Sequence, residues 1–249
     1  MIGARPIHDS GADTQAALPG MVPGEPWWLI DSGVQPAAWN MAFDEALLEA
    51  APRLGRPVLR FYGWTEPAAT FGYSQHHREI EQLTPLRPLV RRPTGGGLVP
   101  HDCDWTYTLV FPPGHPWFGL RARASYKRVH DWLCRAFTRL GLPTKLAPAS
   151  LPGHGQCFVG AEQFDVLLAG AKIAGAAQRR TRTGLLIQGS VQPPLSAPPR
   201  RLWQQAVGDI ASEDWDVTWA TLTPDAALID RAATLTREKY ALPAHNHSR

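Results

Sequence analysis

Residues 164–191 contain three short runs of apolar and β-branched residues, separated by short connections, with Gly170 in the first connection and Gly184 directly after the second. The runs are 164–168, 172–177 and 184–191. Strands joined by turns this tight pair with one another in antiparallel fashion. This part of the chain therefore predicts an antiparallel sheet as the centre of the fold.

Helical patterns alternate with further strands on both sides of that sheet. Residues 39–50 and 126–140 place apolar side chains at helical spacing, and 105–111 alternates and is rich in β-forming residues. Strands dominate the middle of the chain, with helices before, between and after them. This order predicts an α+β fold with a mixed, largely antiparallel sheet flanked by helices, rather than a doubly wound sheet.

The chain of 249 residues is long enough for one sizeable domain with its own core. Residues 1–25 are rich in Gly, Ala and Pro and lack hydrophobic periodicity, which predicts a flexible leader. We expect the main domain to comprise residues 26–195. Residues 196–249 are predicted to be a linker and C-terminal helices packed on that domain.

Composition excludes several classes of protein. The formal net charge of +3 is a mild excess, without the clustered basic stripes of a nucleic-acid-binding protein, and it is weakly compatible with an acidic protein partner. No run approaches the roughly 18 apolar residues of a membrane span. Three cysteines without a CxxC pair argue against a disulfide framework or a structural zinc site. We therefore expect a cytoplasmic protein with no metal.

A glycine-rich segment is the first candidate binding site. Arg91 and Arg92 precede Gly95-Gly96-Gly97, and His101 follows shortly after. Successive glycines let the backbone approach a ligand closely, and free N–H groups there can hold an anion. The alternative is a plain hairpin turn with solvated arginines.

A lysine in apolar surroundings is the second candidate. Lys172 lies in the segment 170–177, among alanine, glycine and isoleucine. Partial desolvation favours the neutral, more reactive amine, and the small neighbours leave room for a substrate chain. The alternative is a lysine that protects an edge strand from aggregation.

The third candidate is a cysteine, since a thiolate is a strong nucleophile. Cys157 lies in a glycine-rich loop just before the strand of Lys172. Cys134 fits the apolar face of a helix, and two acidic neighbours disfavour the thiolate of Cys103. The alternative for Cys157 is a small buried side chain without a chemical role.

Together these segments resemble the lipoate-protein ligase and octanoyltransferase family, over about residues 28–192. One such segment would be weak evidence, but here four occur in the order found in the family. The matching residues are Arg91-Arg92-x-x-Gly95-Gly96-Gly97-x-Val99-x-His101-Asp102, Thr106-Tyr107-Thr108, Gly170-x-Lys172-Ile173-Ala174-Gly175-Ala176-Ala177-Gln178 and Gly189-Ser190.

The resemblance implies a mixed α/β catalytic domain related to biotin and lipoate ligases, with the acyl chain in a tunnel. It implies that Lys172 touches the acyl carbonyl. The arginine-glycine segment and the lysine segment would border the tunnel. The residues implied to bind substrate are Arg91, Arg92, Gly95, Gly96, Gly97, His101, Ala174, Gly175 and Ala176.

Within the family, two features favour an acyltransferase over a ligase. Cys157, followed by Phe158, precedes Lys172 by fifteen positions, as in the cysteine-dependent octanoyltransferases and lipoyl amidotransferases of Gram-positive bacteria. Only residues 193–249 follow the matching region, which is short for the accessory domain of the ligases. Two departures from the family pattern are Pro100 before His101 and Gln188 where a histidine is common.

The resemblance thus implies transfer of an octanoyl or lipoyl group through Cys157 and Lys172, without a cofactor. The donor would be octanoyl-acyl carrier protein. The acceptor would be a lysine on a lipoyl domain of a 2-oxoacid dehydrogenase or on the glycine cleavage H protein. One alternative is an ATP-dependent lipoate ligase acting with a separate accessory protein, in which Arg91 and the glycine turn would face the acyl-adenylate phosphate. Another is a non-catalytic module that binds an acyl carrier.

Overall fold

The computed structural model describes residues 15–150 and 160–248. Within these two ranges, no helix is both long enough and apolar enough to cross a lipid bilayer. The helices are α1 (Ala37–Leu54), α2 (His77–Leu83), α3 (Pro116–Gly119), α4 (Ala122–Arg139), α5 (Arg200–Trp215), α6 (Ala226–Leu235) and α7 (Pro243–Asn246), and a π-helical turn, Thr236–Tyr240, extends α6.

The strands form two sheets in the described part of the chain. The larger has the order β11-β1-β2-β6-β10-β9-β8-β7, and the smaller has the order β4-β3-β5. The strands are β1 (Pro26–Gln35), β2 (Val58–Trp64), β3 (Ala68–Phe71), β4 (Leu89–Arg91), β5 (Val99–His101), β6 (Trp105–Phe111), β7 (Thr144–Leu146), β8 (Val166–Leu168), β9 (Ala171–Thr181), β10 (Gly184–Val191) and β11 (Thr218–Thr221).

The predicted sheet character is confirmed. Strand β1 runs parallel to β2 and β11, and β3 runs parallel to β4. The other pairs are antiparallel, including the series β2, β6, β10, β9, β8 and β7. The three sequence runs that predicted an antiparallel centre are β8, β9 and β10, which pair as adjacent strands.

Alternating side chains of the larger sheet build one core on each face, as the period-two geometry of strands requires. On β2, Leu59 and Phe61 pack into the core under α4 and α5. Their neighbours Val58 and Tyr62 pack into the core under α1 and α6. The larger sheet is therefore covered by helices on both faces.

The α1-facing side of the sheet changes from apolar to polar along its central strands. Val110 and Leu186 are directly paired across β6 and β10, and both lie in the core under α1. Two and four residues further along, the same face carries the pairs Thr108–Gln188 and Thr106–Ser190. Buried polar groups need partners. The site described below lies at this polar end.

Residues 15–25 lie against the domain, whereas the sequence predicts a flexible leader up to residue 25. The Trp215 indole donates to the carbonyl of Gln15 at 3.1 Å, and the Gly24 N–H donates to the carbonyl of Asp216 at 2.9 Å. Leu18 and Met21 pack on the core. The packing of this segment uses two isolated apolar residues and backbone hydrogen bonds, which leave no periodic pattern in the sequence. The sequence therefore does not predict that the segment packs on the domain.

His130 is a fully buried residue of α4. Burial, and secondarily the charge of Lys172, lower the pKa of His130 from its ordinary value of 6.5 to about 3. The unfolded chain therefore binds a proton below pH 6.5 that the folded chain does not bind. Stability is expected to fall as the pH drops from 6.5 towards 3.

We expect this loss to reach up to about 1.4 kcal/mol per pH unit below 6.5. The measurement is urea unfolding of the wild type and of His130→Leu at pH 7 and pH 5. The variant should lose less stability between the two pH values than the wild type does. An equal loss in both proteins would contradict this assignment.

Candidate functional site

A cavity of about 200 Å³ lies between the smaller sheet, the glycine-rich loop after β4, and strands β9 and β10. Its lining combines small side chains with a few polar groups, as ligand sites commonly do. The lining residues are Met41, Tyr62, Thr70, Arg92, Gly96, Gly97, Val99, His101, Thr106, Tyr126, Gly160, Glu162, Lys172, Gly175, Ala176, Ala177, Gln188, Gly189 and Ser190.

Lys172 enters this cavity from the start of β9. The hairpin from β8 turns through Ala169 and Gly170, which have φ of 49° and 87°. Two successive residues with positive φ are typical of a type I′ turn, for which glycine is favoured. The Nζ atom of Lys172 lies 2.6 Å from the Oδ2 atom of Asp165, and the Asp165 side chain is fully buried.

The Asp165 carboxylate is held from three sides. Besides Lys172, the Glu162 N–H donates to Oδ2 at 2.7 Å, and the Tyr126 hydroxyl donates to Oδ1. Burial and the adjacent carboxylate raise the pKa of Tyr126 well above its usual range, so this hydroxyl stays protonated as a donor. Phe164, just before Asp165, has φ of 74°, an unusual conformation for a bulky residue. Strained backbone of this kind clusters at functional sites.

Gly175 provides the space that the lysine occupies. A Cβ atom at this position would lie 2.9 Å from Cε and 3.0 Å from Nζ of Lys172. Gly175 pairs directly with Ser190 across β9 and β10. The lysine ammonium therefore lies one strand away from the Ser190 hydroxyl, close to the polar end of the sheet.

Thr70, His101 and Asp104 form a hydrogen-bonded chain beside Ser190, and Thr70 and His101 line the cavity. The Nδ1 atom of His101 lies 2.8 Å from Oδ2 of Asp104, and its Nε2 atom lies 2.8 Å from Oγ1 of Thr70. Ser190 and Thr106 also donate to the same Asp104 oxygen. An aspartate on Nδ1 fixes the histidine with Nε2 as the acceptor, which is the orientation of a general base.

Arg92 stabilises the glycine-rich loop through hydrogen bonds. Its guanidinium donates to the carbonyls of Gly95 and Gly97 and lies near Thr70. The opposite side of this loop packs against Gly72, where a Cβ atom would lie 1.9 Å from the Gly96 carbonyl oxygen. Only glycine at position 72 permits this approach.

Arg91 lies outside the cavity, although the resemblance assigns it to substrate binding. Its guanidinium donates to the carbonyls of Tyr73, Gln75, His245 and Asn246 at 2.7–3.2 Å. The Arg91 side chain is fully buried and ties the C-terminal helix α7 to β4. Arg92 lines the cavity and Arg91 does not, because adjacent residues of an extended chain point to opposite sides.

Gln188 forms part of the cavity wall where the family pattern commonly has histidine. Its amide nitrogen donates to Asp44 at 2.7 Å, and its amide oxygen accepts from Thr94 at 2.8 Å. Asp44 also accepts hydrogen bonds from Arg60 and Tyr62. The glutamine is thus fixed in one orientation by a buried polar network.

The sequence of residues 36–192 matches the family described as the lipoyl protein ligase A/B catalytic domain. This range covers more than half of the chain and includes the cavity's lysine, histidine and glycine-rich segments. The chain belongs to this lipoyl ligase A/B family. The resemblance inferred from the sequence motifs is therefore confirmed.

Curated relatives in the lipoyl ligase A/B family are named octanoyltransferase LipM. The protein of Geobacillus kaustophilus is 36% identical over 182 residues, covering 67% of this chain and 65% of that protein. The protein of Bacillus subtilis is 33% identical over 181 residues, with the same coverage. The chain thus matches just under two thirds of the length of these relatives.

Solved structures support the lipoyl ligase fold. A putative lipoate protein ligase from T. acidophilum superimposes with a TM-score of 0.76 at 18% identity, covering 90% of this chain and all of that chain. A lipoate-protein ligase A bound with ATP gives a TM-score of 0.72, also at 18% identity, covering 90% and 98%. Likeness at this identity concerns the fold, and the fold expected from the resemblance is confirmed.

Most of the site residues implied by the resemblance to the lipoyl ligase family line the cavity. Gly95 and Ala174 are absent from the cavity lining, and Ala174 is buried in the core on the opposite face. Cys157 lies outside the described residues. The nominated residues that line the cavity are Arg92, Gly96, Gly97, His101, Lys172, Gly175 and Ala176.

Sequence reasoning missed the polar partners of the site. The signal for Asp165 was present, since it is the one acidic residue in 163–208 and it lies within a run of apolar residues. An acidic residue in such a run is buried only with a partner. Thr70 and Tyr126 had no comparable signal. Within residues 15–150 and 160–248, no group of three or more metal-ligating side chains comes together.

Gly175→Ala is expected to lower kcat on the order of tenfold, because the added methyl group displaces the lysine end by a few tenths of an ångström. Gly119→Ala is the matched control, since a Cβ atom there meets nothing within 4 Å. Single-turnover kinetics and thermal unfolding of both variants provide the measurement. Unchanged kcat in Gly175→Ala would contradict a positional requirement for Lys172.

Proposed function

We propose that this chain is an octanoyltransferase, which moves an octanoyl or lipoyl group from a carrier-protein thioester to a lysine of a lipoyl-accepting domain. The observation that carries the proposal is the cavity in which Lys172, fixed by a buried carboxylate, faces the chain of Thr70, His101 and Asp104. The names of the curated relatives support the same activity.

Cys157 is the proposed nucleophile. Cys157 precedes Gly160 by three positions in the sequence, and Gly160 lines the cavity. Cys134 is a poor candidate, because burial raises the pKa of its thiol to about 11. Cys103 is exposed and does not line the cavity.

Lys172 is proposed to stabilise the oxyanion and not to act as a base. Its apolar surroundings in the sequence suggested a neutral amine, but a carboxylate lies 2.6 Å from Nζ. The ion pair with this carboxylate fixes the position of the Nζ atom. A fixed ammonium donates a strong hydrogen bond to the oxygen that becomes negative in the transition state.

In the first step the Cys157 thiolate attacks the carbonyl carbon of the donor thioester. The tetrahedral oxyanion forms beside Lys172 and collapses, which breaks the bond to the carrier sulfur. The carrier leaves as a thiolate and takes up a proton. The products are an acyl-cysteine on the enzyme and the free carrier thiol.

In the second step the ε-amine of the acceptor lysine attacks the acyl-cysteine. The C–S bond breaks, an amide forms, and Cys157 returns to the thiolate state. The attacking nitrogen loses a proton, which the Thr70 hydroxyl passes to Nε2 of His101 while Asp104 stabilises the imidazolium. Neither ATP nor a metal takes part in this sequence of steps.

The proposed donor is octanoyl-acyl carrier protein. The proposed acceptors are the lipoyl domains of 2-oxoacid dehydrogenases and the glycine cleavage H protein. Transfer to a purified acceptor domain is expected with octanoyl-carrier protein alone, and with ping-pong kinetics. Transfer that occurs only with ATP and free octanoate would contradict the proposal and favour the ligase alternative.

The burial of Arg91 argues against one part of the ligase alternative. In that alternative Arg91 would face the phosphate of an acyl-adenylate, yet its guanidinium donates to carbonyls of α7 and of residues after β3. The third alternative, a non-catalytic carrier-binding module, requires no fixed polar groups around the acyl site. Carrier binding without acyl transfer would support it.

A further inference from the structure

Four exposed arginines lie together beside the cavity. Arg121 and Arg123 are at the start of α4, and Arg180 and Arg182 are at the end of β9 and in the turn that follows. The two elements are in contact, because the Arg180 guanidinium donates to the Leu120 carbonyl at 2.8 Å. We call these four side chains the arginine cluster.

The arginine cluster brings four exposed arginines without an acidic partner together in one place. Arg53, Arg231 and Arg237, which lie on the helix layer of the opposite sheet face, each pair with a carboxylate at 2.5–2.9 Å. Among the described residues, no ion pair forms at any member of the cluster. Its positive charge is therefore not neutralised within this part of the protein.

The chain segments that bear the cluster contain no acidic residue. Residues 105–130 and 166–208 contain neither aspartate nor glutamate. The first turn of α4 has no acidic residue, so the positive end of the helix dipole adds to the same field. A surface patch with charge of one sign attracts partners of the opposite sign.

The cluster adjoins the Lys172 end of the cavity. The Arg123 guanidinium lies over the Phe164 ring at 5.3 Å, and Phe164 directly precedes the lysine's partner Asp165. Tyr126, one helical turn after Arg123, lines the cavity and donates to Asp165. A partner bound on the cluster would therefore be next to the proposed site of acyl transfer.

We propose that the arginine cluster is the docking surface for the acidic carrier protein that delivers the acyl group. This inference rests on the proposed acyl transfer. Guanidinium groups bind carboxylates and phosphates in bidentate fashion, and an acyl carrier presents both, on its surface and at the base of its phosphopantetheine arm. Arg123 connects the cluster with the lysine site through its contact with the Phe164 ring.

The acceptor domain fits this surface less well. Its reacting group is a lysine, whose ammonium is repelled by four unpaired arginines before it loses its proton. The donor's thioester is neutral and its phosphate is negative. The charge at this side of the cavity therefore favours the donor.

The test uses two triple variants of the full chain with the same change in net charge. One is Arg121→Gln/Arg123→Gln/Arg180→Gln. The other is Arg53→Gln/Arg231→Gln/Arg237→Gln, on the opposite face. Formation of acyl-enzyme is measured with octanoyl-carrier protein and with octanoyl-N-acetylcysteamine, a small neutral thioester, at low and high salt.

In the cluster variant, kcat/KM with octanoyl-carrier protein is expected to fall about 10–100-fold at low salt, and less at high salt. The rate with the small thioester should stay within about twofold of the wild type, and the control variant should change neither rate. Equal loss with both donors, or no loss with the carrier, would overturn the proposal. A loss confined to transfer onto the acceptor domain would assign the cluster to the acceptor instead.

Failure of this inference is distinguishable from failure of the proposed function. If the wild type forms no acyl-enzyme with either donor, the acyl transfer itself is contradicted. If it reacts with both donors and the cluster variant is unaffected, only the docking surface is rejected. Thermal unfolding of the three proteins checks that the substitutions leave the fold intact.

Discussion

Lys172→Met should lower kcat on the order of 10²–10³-fold, the usual loss when a donor to the oxyanion is removed. It should also lower the free energy of unfolding by about 3–5 kcal/mol, because the Asp165 carboxylate would be left buried without its cation. Single-turnover acyl transfer and urea unfolding measure the two effects separately.

The double variant Lys172→Met/Asp165→Asn separates catalysis from stability. Neutralising the carboxylate should restore most of the lost stability, since no unpaired charge then remains in the core. Activity should stay as low as in Lys172→Met. Recovery of activity in the double variant would mean that the lysine serves only to neutralise Asp165.

Arg91→Met is expected to destabilise the protein by at least about 3 kcal/mol, because several buried carbonyls lose their donor at once. Asn246→Ala should give a smaller loss in the same direction, since Asn246 accepts from the Arg91 backbone N–H at 2.9 Å. Urea unfolding of both variants provides the measurement.

Arg56→Met is the matched control for Arg91. Arg56 is partly exposed and lies over the Trp28 ring, so its loss should change stability by less than about 1 kcal/mol. If Arg91→Met kept full stability and lost activity instead, Arg91 would have to contact the substrate. That outcome would favour the adenylate-binding role that the ligase alternative gives it.

Local patterns in the sequence were sufficient to predict the centre of the fold. Strands β6 and β10 have the bounds that alternation and turn glycines indicate, and α4 ends just before Gly141, as expected. Strand β11 was not predicted, because its four residues carry no pattern of their own. It forms by pairing with β1, nearly 200 residues away, which no local signal encodes.

The candidate site was only partly visible in the sequence. Motifs indicated Lys172, His101 and the glycine-rich loop, because each carries a local chemical signature. Thr70 lies 31 positions from His101 and Tyr126 lies 39 positions from Asp165, so only the folded chain brings these partners close. The same limit applies to Arg91, whose motif suggested a ligand while the fold gives its guanidinium to the C-terminal helix.

The most direct test of the proposed function is the intact mass of the enzyme after mixing with octanoyl-carrier protein in the absence of ATP. We expect an octanoyl adduct on the wild type that hydroxylamine removes, and no adduct on Cys157→Ser. An unmodified wild type, with octanoylation of an acceptor domain appearing only after ATP and free octanoate are added, would contradict it.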